Sequence, residues 1–112
     1  MSENTIPAWA QTVIAAHLAV TTAVSHGARL KSDRYFVWME DADADFTANN
    51  VHAERAVSGS TDLFTKTEFD PWKRQLEQAF DAAGIFWRHV DTIFEEDTGF
   101  WHYVWDWEVL DG

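Results

Sequence analysis

Two alternations of period two dominate the C-terminal third of the chain. Phe86, Arg88, Val90, Thr92 and Phe94 alternate with Trp87, His89, Asp91 and Ile93. After the acidic turn Glu95-Glu96-Asp97-Thr98-Gly99, Trp101, Tyr103, Trp105, Trp107 and Val109 alternate with His102, Val104, Asp106 and Glu108. Period two belongs to a β-strand, whose side chains point to opposite faces in turn. The pattern therefore predicts two strands hinged as a hairpin. Four of the seven tryptophans fall here. A short hairpin cannot hide that much aromatic surface, so a helix, other strands or a partner subunit must cover it.

Elsewhere the period changes. Trp9, Val13, His17 and Val20 recur at helical spacing, and Ile6, Ala10, Ile14 and Leu18 thicken the stripe. Asn4 or Thr5 can cap this helix, with Pro7 in the first turn, where a missing N–H costs nothing. The helix weakens after Leu18, because Val20, Thr21 and Thr22 favour extended geometry, and Gly27 is a break. Tyr35–Met39 reads as a short strand covered on both faces. Val51–Thr65 reads as a longer one, whose Ser58-Gly59-Ser60 centre marks a bulge or a close backbone approach. Asp70-Pro71 starts a second helix that runs to Ala82 or Ala83 and stops at Gly84. Trp72, Leu76, Ala79, Phe80 and Ala83 form its apolar stripe, with Lys73, Arg74, Glu77 and Asp81 facing out. The expected fold is α/β (α+β), one domain over residues 1–112 in the order α-β-β-α-β-β. An antiparallel or mixed four-stranded sheet with both helices on one face satisfies every apolar stripe.

Composition narrows the function classes. With 112 residues and 46% hydrophobic content, the chain supports one core. It has no cysteine, which excludes a disulfide scaffold and thiolate–zinc sites. The N-terminal stretch lacks a basic leader and no apolar run is long enough to cross a bilayer, so a soluble, intracellular or particle-borne protein is expected. Formal charge is −11, from 19 acids against 8 bases. Such a chain repels a phosphate backbone. It can imitate nucleic acid and block a nucleic-acid-binding protein, or line a passage through which nucleic acid slides.

No catalytic motif stands out. The five histidines form no short ligand pair, and His89, His102 and Asp106 come together only if the hairpin happens to place them so. Asp41, Asp43 and Asp45 alternate, but the glycine and terminal glutamate of a calcium loop are out of register. Glu40 or Asp41 with Glu95 or Glu96 is a conceivable carboxylate pair; a solvated rim explains these acids more simply. The serines lack a nucleophile elbow and the glycines are dispersed. Arg29, Lys31 and Arg34 form a basic patch too small for nucleic-acid recognition. With Glu40, Asp41, Asp43, Asp45 and Trp101, these residues are the candidate subunit or partner contacts. No catalytic, metal or cofactor residue is expected, and no enzyme activity.

Several ordered pieces carry a resemblance: "TAVSHG", "RYFVWMED", "FTANN", "DLFTKTEFDPW", "AFDAAGIFW" and "TIFEEDTGFWHYVWDWEV". Across roughly residues 9–110 the chain resembles the small tail-terminator or tail-completion proteins of long-tailed bacteriophages and prophages, among the head–tail joining components. The resemblance implies a structural virion protein in the tail neck, assembled in the host cytoplasm. It implies a homo-oligomeric ring, commonly a hexamer, that caps the tail tube, stops its polymerisation and meets the head-side connector. DNA would pass through without specific binding, and neither cofactor nor membrane is involved. Asp33-Arg34 stands where the group often has a proline-containing turn, and tryptophan is unusually abundant. The alternative function is an acidic DNA mimic.

Overall fold

The computed structural model describes residues 5–41 and 56–111. They form α1 (Ala8–Leu18), β1 (Val24–His26), β2 (Arg34–Glu40), β3 (Ala56–Thr65), α2 (Trp72–Ala83), β4 (Phe86–Glu95) and β5 (Phe100–Leu110). The sheet is five-stranded, in the order β1-β2-β3-β5-β4. This corrects the expected four strands in the order α-β-β-α-β-β: the chain runs α-β-β-β-α-β-β. The extra strand is β1, which pairs parallel to β2 with Val24 beside Phe36 and His26 beside Trp38. Three residues are too few to display a period. In sequence Val20, Thr21 and Thr22 favour extended geometry, but no strand is expected before Gly27. All other pairings are antiparallel, so the sheet is mixed.

Register sorts the side chains. Phe36, Leu63 and Tyr103 lie in one row across the sheet, and Trp38, Thr61, Trp105 and His89 in the next. These rows face the helices. Ala10 and Val13 of α1 and Leu76 and Phe80 of α2 close over them as one core. Both helices therefore cover the same face. The α1 stripe is narrower than its sequence predicts: Ile6 precedes the helix, Leu18 ends it, and both are about half exposed. Pro7 itself holds the cap position without a side-chain cap bond.

In α2, Asp70 Oδ1 accepts the Trp72 N–H at 2.9 Å, and Gly84 ends the helix with φ 75°. Glu77 does not face water as its helical position implied. It is buried, accepting from Trp105 Nε1 at 3.0 Å and from Lys73 Nζ at 2.8 Å. Gly59 needs no bulge: β3 runs straight, and the Trp107 ring lies where a Cβ would be. The irregularity falls in β4, between His89 and Asp91. It shifts the alternation by one residue. Thr92 and Phe94 thus join Trp87 and His89 on the helix side, while Asp91 and Ile93 join Phe86 and Arg88 on the other.

One buried polar chain threads the core. His17 Nδ1 lies 2.8 Å from the Val13 carbonyl and Nε2 3.0 Å from Thr61 Oγ1, which also accepts Trp107 Nε1–H at 2.9 Å. The Val13 oxygen only accepts, so Nδ1 carries the proton and the Thr61 hydroxyl donates to Nε2. Each contact is satisfied with His17 neutral, and burial lowers its pKa to about 4.

Candidate functional site

Among the described residues no helix lies over the second face of the sheet. At one end it is covered locally. The Tyr35 and Phe64 rings stack at 5.2 Å, and His102 stacks on Phe64 at 4.3 Å. The β1–β2 loop lays the Arg29 guanidinium 3.9 Å above Phe64, where Nε donates to the Tyr35 hydroxyl at 3.3 Å and Nη2 reaches Glu95 at 3.4 Å. The Tyr35 bond and the Glu95 charge raise the Arg29 pKa. Partial burial pushes the Glu95 carboxyl up, but the Thr98 hydroxyl, Arg29 and His102 outweigh it and hold Glu95 below its ordinary value. His102 bridges Asp62 at 3.1 Å and Glu95 at 3.6 Å.

The basic patch of the sequence is not one surface. Arg34 lies on the helix side, paired with the buried Asp70 at 2.5 Å and stacked 3.8 Å over Trp72. Two of the patch's three charges are therefore consumed internally, on opposite faces. Lys31 stands exposed between them with no partner among the described residues. Glu40 is held by His26 at 2.7 Å, which lowers its pKa. Trp101 is half-buried against Phe94, with ring centroids 4.7 Å apart. Asp43 and Asp45 lie outside the described residues. His89 and His102 point to opposite faces, so the hairpin does not gather them with Asp106. Glu40 and Glu95 sit at opposite ends of the sheet, so they form no carboxylate pair. Among the described residues no three ligating side chains converge for a metal, and no helix is long and apolar enough to cross a membrane.

At the far end of the open face, β3, β4 and β5 and the residue after β2 border a cavity of about 380 Å³. Its wall includes Phe86, Trp87, Asp41, Ser58, Asp106 and Glu108. Phe86, 65% exposed, lies across the sheet from Glu108, and Arg88 lies across from Asp106, which it bonds at 3.0 Å. Glu108 accepts only a long 3.5 Å contact from Ser58. The sequence signal for this site was Phe86 and Glu108 at matched places in the two alternations; the contribution of Ser58 required the β3–β5 register. A comparison with protein-family models finds no match, and a comparison with curated proteins finds none either.

Proposed function

We propose that the chain is a structural subunit that assembles as a ring, caps a phage tail tube and joins it to the head-side connector. One observation carries this reading. The fold is internally complete, with no buried side-chain polar atom lacking a partner among the described residues. Even so, β4 exposes Phe86, Val90, Ile93 and Phe94 along a ten-residue sheet edge. Apolar side chains that the core does not use, on a free edge, suit contact with a neighbouring copy. The strong negative charge suits a ring that DNA traverses without adhering. The segments bearing the resemblance form much of the sheet and α2. The reading requires no catalytic group and no cofactor.

Light scattering across concentration, with negative-stain imaging, is the test. A closed ring that binds the end of purified tail tubes and stops further polymerisation is the expected result. A persistent monomer that leaves tubes uncapped defeats the proposal. The acidic DNA mimic has the acids of the open face in its favour: Asp62, Asp91, Asp106 and Glu108 all lie there. Two of them already have partners, Asp62 in His102 and Asp106 in Arg88, and apolar side chains interrupt the row. A phosphate imitation needs free charge at regular spacing.

A further inference from the structure

Resting on the ring reading, we propose that the cavity between β3, β4 and β5 receives the ammonium group of Lys31 from a second copy of the chain. The cavity combines carboxylates with an exposed aromatic ring. Arg88 in the same wall is taken up by Asp106, so Asp41 and Glu108 offer the remaining negative charge, while the exposed Phe86 ring lies beside them. A cation on an apolar stem satisfies both: its charge meets the carboxylates and its methylenes and ammonium lie along the ring. An anion is repelled there, and a neutral apolar group leaves the carboxylates desolvated without a partner.

The lysines and arginines of the described residues narrow the choice of cation. Arg29, Arg34, Lys66, Lys73 and Arg88 are all engaged within the subunit. Among the described residues only Lys31 and Arg74 have no internal partner. Arg74 belongs to α2, in the layer behind the sheet. Lys31 belongs to the β1–β2 loop, whose Arg29 lies over Phe64 at the sealed end of the open face, whereas the cavity borders the other end of that face. A contact between two such different patches that is not reciprocal is heterologous. Each copy then uses both halves, and the repeat closes into a ring when the rotation permits.

The protein has no cysteine, so disulfide trapping between introduced residues is clean. The double variant Lys31→Cys/Glu108→Cys, oxidised and run without reductant, should give a covalent ladder that ends at the ring size. Neither single variant should pass the dimer. Lys31→Glu and Glu108→Lys should each weaken association on the order of tenfold or more, and combining them in one chain should restore it. The thermal midpoint of the dissociated Lys31→Glu subunit should stay unchanged, because Lys31 has no internal partner. A ring that forms without a ladder and tolerates Lys31→Glu overturns the contact and leaves the ring reading intact. Loss of the ring on Arg74→Glu but not on Lys31→Glu likewise overturns the Lys31 assignment. A monomer at every concentration defeats the contact and the ring together.

Discussion

The two faces of one sheet solve different problems with the same strands. On the helix side, Trp105 and Leu63 are 0% exposed, and even the polar atoms of Trp105, Trp107, Thr61 and His17 are bonded. On the open side, among the described residues, only the Tyr35–Phe64 end is sealed, by a loop arginine rather than by a helix. The rest leaves Met39, Phe86 and Ile93 in water among acids. Neighbouring residues in β5 thus belong to different regimes: Trp107 carries stability and Glu108 borders a surface cavity. The difference shows how period two lets one strand be fixed by packing on one face and free to specify contacts on the other.

The sharpest way to break this comparison is Trp105→Ala. It empties the centre of the covered face and leaves the buried Glu77 without its indole donor. A loss of about 3–5 kcal/mol is expected in urea unfolding. Phe86→Ala on the open face should stay within about 0.5 kcal/mol in the isolated subunit. Comparable losses from both would end the distinction.

Acid probes the covered face differently. His17 is neutral in the fold, with a pKa of about 4 against 6.5 when unfolded. Above pH 6.5 neither state holds the proton. Below it the unfolded chain binds the proton first, so stability falls until pH approaches 4, by about 3 kcal/mol in all. Asp70 adds a later loss. Burial pushes its carboxyl up, but Arg34, the Trp72 N–H and the Thr65 hydroxyl hold it below its ordinary 3.8. Its contribution is present above that value and disappears as pH falls through the lowered one. Urea midpoints measured from pH 8 to pH 4 should show the first loss, and His17→Leu should flatten it. A slope unchanged by that substitution removes His17 as its cause. A smaller effect belongs to the sealed end of the open face: Arg29→Ala should cost about 1 kcal/mol, by losing the guanidinium over Phe64. High salt should lessen that cost only slightly, since ring contact outweighs the long 3.4 Å ion pair.

Much of the fold was legible because its signals are local. Asp70-Pro71 and Gly84 bracket α2 through backbone geometry that those residue types dictate, and the β5 alternation runs unbroken through Val109. What escaped was set by neighbours distant in sequence. β1 exists only because β2 offers it an edge. The Val90 irregularity reverses the faces of half of β4 without changing its composition. Glu77 looked solvated on a helical wheel, yet the Trp105 indole gives it a buried partner. Arg29 and Arg34 looked like one patch; five residues of loop and strand carry them to opposite faces. The cavity joins residues from β3, β4 and β5, so no window of sequence contains it.

Phe69 offers the finest test of how far surface demands override stability. It holds φ 57°, in the left-handed region, with its ring 85% exposed. A bulky residue is strained there by about 1–2 kcal/mol, and an exposed ring returns little burial energy. The adjacent Asp70 is fixed by Arg34, the Thr65 hydroxyl and the Trp72 N–H, so the turn is set by the fold rather than by the phenyl group. Phe69→Gly removes the strain but gives the unfolded chain more freedom, a cost of about 0.5–1 kcal/mol. The net expectation is a gain of about 0.5 kcal/mol in urea unfolding of the isolated subunit. A gain of that sign means the ring is held out at the expense of the fold, as a contact surface requires. A loss of 1 kcal/mol or more means that Phe69 packs usefully within its own subunit and belongs with the covered face.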